Sequence, residues 1–465
     1  RFAEALETLL EASLIERVSD EPARYRMLEI VREYAQSLLS DARRRAAENR
    51  LCAWVLRTAL HRAEEAYTPR LTEWLRFWDS CRAPLLLTLD LLEREGRLHE
   101  AIRLLRAVER CLYLRPLHDD ALKRLQHWLN AGKLSSRDEA DARLLQARLL
   151  FEASEGRQAM PVVRELAQLE GRDKRRGWAL YWIVQIAFTM RDLPTALRYW
   201  KQLRRFYPCP EQPQLHCAIH YLWGYLEPVE DIVAWREEGV HFAQQSGDPI
   251  LLGSALVALI ELLVFHGEYD RALRYTNEAH RLYTQMDGPL YLIGVLHSQI
   301  YCLLQQGELT QAQQTLNACS EMESRLGLPK HTTHWLQASL WRWEGQLAQA
   351  QQLALSQVAE LEMQQIWHQG AMMWELAALC AAEMGNLEEA LRYAAEAARL
   401  REREDDLPRK LFTRTHYAYL RARAGNPDAL KELEECLQFW RTLHWRPWQA
   451  TTLLYLAETY AQYRE

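Results

Sequence analysis

The residues best suited to chemistry are histidines and cysteines near the middle of the chain. His216 and His220 are four residues apart on a predicted helix, with Cys217 between them and Cys209 shortly before. Imidazole and thiolate groups on one helix face can hold zinc when further ligands complete a tetrahedral set. The sequence does not fix those further ligands. We therefore predict no metal site here and interpret both histidines as partly exposed groove residues.

The motifs that usually mark catalysis are missing. His331 and His334 form a looser histidine pair, again without a third ligand. Residues 132–135 (GKLS) lack the first glycine of a phosphate-binding loop and the hydroxyl that should follow its lysine, and they are interpreted as a loop between helices. No HExxH, GxSxG or dinucleotide-binding glycine pattern occurs. We predict a protein that is not an enzyme and carries no cofactor.

Seventeen tryptophans are many for a chain of 465 residues. Indole rings offer flat stacking surfaces and one hydrogen-bond donor, so they serve both ligand binding and core packing. The choice between the two uses depends on which helix face carries each ring. Before any ring can be assigned to a face, the helices themselves must be located.

A repeated turn divides most of the chain into helical hairpins. In six places a glycine or polar residue is followed five positions later by alanine: Gly96 and Ala101, Arg191 and Ala196, Gly267 and Ala272, Gly307 and Ala312, Gly345 and Ala350, Gly385 and Ala390. Apolar residues at helical spacing flank each turn. Glycine permits the left-handed conformation that ends the first helix, and the small alanine lets the second approach closely.

The spacing of these turns gives a period of about 40 residues, and Gly425 with Ala429 continues it. We predict weaker turns at Gly156 and at residues 226–228, where a proline replaces the glycine signal. The charged run 401–406 is interpreted as a solvated helix end. Most of the chain is therefore predicted to consist of stacked helix pairs.

Composition agrees with an all-α protein and limits its partners. Only 18 glycines and 16 prolines are present, 49% of the residues are hydrophobic, and the net charge is −6. Such a charge offers no basic surface, so we expect no direct nucleic-acid contact. Nine cysteines without a CxxC pair favour reduced thiols, and no apolar run reaches 18 residues. We predict a cytoplasmic protein without a membrane segment.

The Gly-x-x-x-x-Ala turn, with a second alanine seven residues on at Ala279 and Ala397, resembles the tetratricopeptide repeat. The resemblance covers residues 84–465, although its period exceeds the family's usual 34 residues. It implies a right-handed superhelix of about nine hairpins with an extended concave face. The first helix of each hairpin then lines that face.

This resemblance supplies a register for the inward-facing side chains. When Gly267 and its equivalents occupy position 15, the family's inward positions fall on residues that mix aromatic rings with polar tips. Such a surface suits a small polar ligand or an extended peptide. The alternative for every ring is packing between helices. The predicted ligand-binding residues are Trp178, Tyr181, Gln185, His216, His220, Trp223, Glu261, His297, Tyr301, Gln305, Trp335, Arg342 and Trp343, with Phe188, Ser254 and Ser339 on the same face.

Residues 1–45 do not follow the repeat. A helix, a strand at 13–18, a turn at 19–23, a returning strand at 24–27 and a helix at 28–39 are predicted there. The runs LLEASLI (9–15) and RYRMLEIVREYA (24–35) resemble the end of the winged-helix module in signal-transduction ATPases with numerous domains, the STAND class. Residues 46–83 are predicted to form a helical arm that joins this remnant to the repeats.

The STAND resemblance implies a function in recognition. We expect a sensor domain of a transcription or signalling regulator whose groove binds a small-molecule inducer or a regulatory protein or peptide. Binding would control the nucleotide-binding ATPase domain of the same parent chain. The alternative is an interaction scaffold that holds a peptide or partner helix and senses no small molecule.

Overall fold

A computed structural model of the protein describes residues 2–20, 23–115, 117–153, 155–168, 174–190, 192–227, 229–286, 288–403 and 407–464. Over these ranges the chain forms twenty-five α-helices, two short 3-10 helices and one two-stranded antiparallel sheet. The predicted all-α class with one small β-hairpin is confirmed. The chain divides into two compact units, residues 1–64 with 74–142, and residues 65–73 with 143–465.

Unit 1 contains the hairpin and the first helices. Its elements, some of which continue into the other unit, are α1 (Phe2–Glu11), β1 (Ile15–Asp20), β2 (Ala23–Met27), α2 (Glu29–Ser37), α3 (Asp41–Arg62), a 3-10 helix (Ala63–Tyr67), α4 (Leu71–Ser80), α5 (Arg82–Arg94), α6 (Leu98–Ala107), α7 (Glu109–Leu114), α8 (His118–Asn130) and α9 (Ser136–Glu152).

The order of elements in residues 2–37 follows the sequence prediction. β1 pairs antiparallel with β2, and the register shifts by one residue between Arg17 and Ser19. Glu21 and Pro22, inside the expected turn, lie outside the described residues. The boundary between the two compact units falls after Ala142. The start of the repeats at residue 84 stays a prediction.

Unit 2 contains the remaining helices. They are α10 (Gly156–Leu166), α11 (Lys174–Thr189), α12 (Leu193–Leu203), α13 (Pro213–Leu226), α14 (Ile232–Ser246), α15 (Pro249–His266), α16 (Tyr269–Gln285), α17 (Pro289–Gln306), α18 (Leu309–Leu326), α19 (His331–Trp343), α20 (Leu347–Met363), α21 (Trp367–Glu383), α22 (Leu387–Arg401), α23 (Leu407–Arg423), α24 (Asp428–Thr442) and α25 (Arg446–Arg464), with a 3-10 helix at Arg204–Phe206.

The repeated turns have the predicted geometry. Glycines 267, 307, 345, 385 and 425 all have positive φ, between 77° and 88°. The alanines that follow them, 272, 312, 350, 390 and 429, are all completely buried where the paired helices meet. Of the two weaker turns, Gly156 begins α10 instead of ending a helix, and Pro228 lies outside the described residues. Arg191, the one principal turn residue that is not glycine, also lies outside them.

The helices of unit 2 form two rows. The first helices of successive pairs (α11, α13, α15, α17, α19, α21, α23 and α25, hereafter the inner helices) each contact the next inner helix as well as their own partner. Direct contact along this row makes it the tighter of the two, so it lies on the concave side of the stack. The second helices of each pair (α12 to α24, even numbers) form the outer row.

The inner row curves until its end meets an earlier helix, since α25 contacts α15. Phe265, at the end of α15, stacks on Trp445 with ring centroids 4.5 Å apart and planes within 8°. Trp445 in turn stacks on Trp440, and Phe412 and Trp448 complete this aromatic cluster. Unit 2 thus closes one turn of its superhelix between α15 and α25.

Two local features of unit 2 correct or refine the sequence interpretation. α15 is long and apolar enough to cross a membrane by length and composition alone. It packs against α14, α16, α17 and α25, which is the environment of a core helix in a helical array. Arg401, expected at a solvated helix end, is instead buried and paired with Glu375 at 3.1 Å, while 404–406 lie outside the described residues.

Candidate functional site

The clearest groove contact joins two inner helices. Tyr301 of α17 stacks on Trp335 of α19, with centroids 6.2 Å apart and planes within 12°. Both rings remain partly exposed. Desolvation within the concave surface raises the pKa of the Tyr301 phenol, which therefore stays protonated and able to donate a hydrogen bond. The pair forms a flat platform with a polar edge.

Charged groups follow on the next inner helices. The guanidinium of Arg342 on α19 donates from Nε to Glu383 Oε1 of α21 at 2.8 Å. Both side chains are partly exposed, so this ion pair is screened by solvent and open to exchange with a ligand. A carboxylate or a cation of a ligand would find a matching partner here.

His416 of α23 and Tyr455 of α25 extend the site. Their Nδ1 and hydroxyl atoms are 2.9 Å apart. Desolvation, reinforced by the positive charge of Arg342, lowers the pKa of His416 to about 3. The imidazole is therefore neutral at pH 7, although its ring retains partial exposure. Tyr455 also stacks on Tyr419 with a centroid distance of 3.7 Å.

Glu261 of α15 has an unusual environment for an exposed carboxyl. Desolvation raises its pKa, and the opposing influence of Arg236 and Arg409 is smaller. Desolvation by neighbouring atoms disfavours the charged form of a carboxyl group. Such a carboxyl would gain from pairing with a ligand cation or donor.

The remaining predicted residues of the central repeats are placed less uniformly. His297 of α17 is partly buried and turns towards Thr333 and Glu323, with its Nε2 3.0 Å from Thr333 Oγ1. Gln305 is half-buried, and Trp343 is exposed at the end of α19. On the inner row, Ser339 is half-buried and Ser254 is exposed.

The predicted residues of α11 form their own aromatic group. Trp178 packs edge-on against Tyr181 at 5.5 Å, and Tyr181 packs edge-on against the buried Trp182 at 5.0 Å. Trp178, Tyr181, Gln185 and Phe188 are all partly exposed. The rings contact one another and also remain partly exposed. They are therefore compatible with both interpretations made from the sequence, ligand binding and packing between helices.

The interpretation of His216 and His220 as groove residues is corrected by the structure, because both rings are buried. His220 stacks on Trp235 at 4.0 Å and lies 2.9 Å from the Trp235 carbonyl through Nε2. Its Nδ1 lies 3.3 Å from the Tyr207 hydroxyl. His216 Nδ1 accepts from the Cys209 amide at 3.3 Å. Desolvation lowers the pKa of both histidines, so neutral rings serve helix packing.

Trp223 belongs largely to the same packing. Its ring lies edge-on to Trp200 at 5.5 Å and contacts Tyr207 and Trp235. The register failed on α13 for a physical reason, since this helix ends at Leu226 without the left-handed glycine that anchors the repeat.

Sequence reasoning missed Glu383, His416 and Tyr455. The glycine register would have found Glu383, because it stands two residues before Gly385 just as Trp343 stands before Gly345. His416 and Tyr455 give no such signal, since their contact joins two different inner helices.

A separate cavity of about 1130 Å³ lies at the start of α14, beside the loop between α24 and α25. It contains none of the residues predicted to bind ligand. Acidic and basic groups line it together, among them Asp231, Glu237, His266, Arg271, His444 and Arg446.

Comparison with solved structures supports the fold. A Rap protein crystallised in complex with Competence and Sporulation Factor has a TM-score of 0.50 at 12% identity, with 70% of this chain and 98% of that chain covered. Aspartyl phosphate phosphatase F from Bacillus subtilis gives 0.48 at 14%, covering 74% and 95%. A STAND protein with a tetratricopeptide repeat sensor from Pyrococcus horikoshii gives 0.38 at 14%, covering 97% and 59%.

The likeness to the Rap protein, together with the paired helices described above, identifies a tetratricopeptide-like helical repeat architecture. No protein-family model matches the chain, and no curated protein sequence matches it.

Proposed function

We propose that unit 2 is a recognition domain whose inner helices bind a small polar inducer or an extended peptide. The observation that carries this proposal is the run of accessible, chemically different groups along α15 to α25. Tyr301 and Trp335 offer a stacking platform, Arg342 and Glu383 offer a solvent-accessible ion pair, and Glu261 offers a desolvated carboxyl. Rings for contact area and a few oriented polar groups for specificity are the usual composition of a ligand site.

The helical repeat fold supports this use. The Rap protein with a similar fold was crystallised in complex with Competence and Sporulation Factor. Stacked helical hairpins present long concave surfaces that hold extended ligands. The aromatic and charged side chains named above lie on the inner helices and can bind a ligand. The proposed role is therefore recognition of the ligand without chemical conversion of it.

The parent is proposed to be a STAND-type regulator of transcription or signalling in the cytoplasm. Ligand binding would shift its equilibrium between a closed and an active form by favouring one of them. Residues 1–45 support this assignment through their helix, hairpin and helix order. Their large apolar side chains Val18, Leu28, Ile30, Tyr34 and Leu38 are exposed, which suits packing against another domain.

A thermal-shift screen of the full chain tests the recognition proposal. Sugars, nucleotides, amino acids, lipids and a pool of random peptides are each added, because a ligand that binds only the folded state raises the midpoint. At a concentration one hundred times Kd the gain is about 2.7 kcal/mol. A hit among the small molecules or peptides is expected. No hit, with a protein partner that binds only outer-row residues, would contradict groove recognition.

The STAND assignment has a separate test in the gene. We expect its reading frame to encode a nucleotide-binding ATPase domain before the winged-helix segment. A reading frame without that domain would contradict the STAND parent and leave the groove proposal standing.

A further inference from the structure

Three side chains of different chemistry converge between α17, α18 and α19. His297 comes from α17, and Cys319 and Glu323 come from α18, one turn apart. One ligand atom from each, the imidazole nitrogen, the thiol sulfur and a carboxylate oxygen, lies within 4.8 Å of the other two. His297 Nε2 is 3.3 Å from Glu323 Oε1. Tetrahedral zinc with bonds of about 2.0–2.1 Å separates its nitrogen and oxygen ligands by about 3.3 Å.

A fourth polar group closes the cluster from α19. The Thr333 hydroxyl donates to Glu323 Oε1 at 2.9 Å and lies 3.0 Å from His297 Nε2. Thr333 Oγ1 is also 3.8 Å from Cys319 Sγ. Thr333 therefore touches all three residues, in the position of a fourth ligand or of a group that orients the other three.

Burial makes this cluster costly without a cation. Glu323 is 2% exposed and Cys319 is fully buried. Among the described residues, Glu323 Oε2 has no hydrogen-bond partner. The nearby Lys330 ammonium donates to Ser320 Oγ at 2.8 Å. A buried carboxylate needs compensation by a positive charge or by hydrogen bonds. In Glu323, Oε1 accepts a hydrogen bond from Thr333, whereas Oε2 accepts none from the described residues.

We propose that His297, Cys319 and Glu323 bind a thiophilic divalent transition-metal ion, with Zn²⁺ as the best match. A mixed nitrogen, sulfur and oxygen donor set suits zinc and disfavours Mg²⁺ and Ca²⁺, which prefer oxygen alone. Three protein ligands leave one position for Thr333 or for a molecule entering beside the partly exposed His297.

The ion would fasten two consecutive hairpins. Its ligands come from both helices of the α17–α18 hairpin, and Thr333 belongs to the first helix of the next hairpin. Desolvation raises the pKa of the Cys319 thiol to about 11, so a bound metal must displace a proton that the buried thiol otherwise keeps. Zinc binding would then stabilise the relative position of α17, α18 and α19.

Titration of the full chain with ZnCl₂ tests the proposal. The protein is first treated with a reductant and a chelator, and both are removed before zinc is added. We expect one equivalent to bind and the thermal midpoint to rise until that equivalent is reached. Cys319→Ala and Glu323→Gln should each weaken binding at least about a hundredfold, and Thr333→Val roughly tenfold. Cys302→Ala and His334→Gln serve as controls, since Cys302 is equally buried and His334 lies on α19 outside the cluster. Equal weakening by the controls would overturn the proposal.

Cobalt substitution gives a readout that does not depend on the folding of any variant. Co²⁺ added to the unmodified chain should produce a thiolate charge-transfer band and the visible bands of a tetrahedral ion. Their absence at one equivalent, or their persistence in Cys319→Ala, would overturn the assignment. Neither outcome tests the groove proposal, which is argued from Tyr301 with Trp335, Arg342 with Glu383, and Glu261.

Discussion

At the scale of single residues, side chains of the inner helices have shifted pKa values although they remain partly exposed to solvent. His416 retains partial exposure, yet desolvation and the charge of Arg342 lower its pKa to about 3. Glu261 is exposed, yet desolvation raises its pKa. Both groups are shifted towards their neutral forms, which suits binding of a polar ligand through hydrogen bonds.

The shift at His416 predicts a pH dependence of stability. The unfolded chain takes up this proton near pH 6.5 and the folded chain near pH 3, so the unfolded state binds more protons between these values. The contribution to stability is complete above pH 6.5 and is lost as pH falls towards 3. Urea unfolding of His416→Asn, which keeps an acceptor for Tyr455, should depend less on pH over this window. Identical slopes for both proteins would refute the shifted pKa.

At the residue scale, the register is clearest where a glycine anchors it. Tyr301, Trp335 and Arg342 precede Gly307 or Gly345 at fixed distances, and the structure places them on inner helices with partial exposure. His216 and His220 precede a turn without that glycine, and they are buried. Glu323 and Thr333 meet across helices, so no spacing along the chain indicates their contact.

At the scale of elements, the turn glycines and the buried alanines carry most of the sequence information. Positive φ at the turns and complete burial of the alanines agree with the predicted hairpins. Short elements such as α7 (Glu109–Leu114) gave no recognisable period, because six residues span less than two helical turns.

Replacement by alanine should change the free energy of unfolding in opposite directions at two glycines of one hairpin, Gly294 within α17 and Gly307 at its end. Gly307 has φ of 77° with open space around it, so a methyl group there meets no neighbour. Gly307→Ala should therefore destabilise the protein only through the left-handed backbone, by about 1–2 kcal/mol. Gly294, exposed within α17, also has open space, so Gly294→Ala should stabilise by about 0.5–1 kcal/mol. Chemical denaturation of both variants measures the difference. Changes of the same sign would contradict the assigned turn.

At the scale of unit 2 as a whole, closure of the superhelical turn determines which inner helices face one another. α15 contacts α25, and Phe265 stacks on Trp445, the residue just before α25. The period of the sequence predicts stacked hairpins, but the angle between successive hairpins depends on side-chain packing at every interface. Closure was therefore not predictable from the repeat alone.

Removal of the closing stack should loosen the last helix. Phe265→Ala loses its parallel contact with Trp445, at a cost of roughly 2 kcal/mol, below the range for fully buried aromatic residues. Hydrogen exchange in α25 should accelerate more than in α19, which lies away from the contact. Trp343→Ala, at an exposed ring, is the control. Unchanged exchange in α25 would show that closure does not depend on this stack.

The central claim is that the inner helices capture a ligand, and the most direct test is an affinity titration of the tightest binder from the thermal-shift screen. Trp335→Ala should weaken binding by about 2 kcal/mol, or roughly thirtyfold, as expected for an anchoring tryptophan. Trp54→Ala, a partly exposed ring in unit 1, should leave the affinity unchanged. Thermal melts establish that both variants are folded. Equal affinity of Trp335→Ala and the unmodified protein would contradict binding at the inner wall.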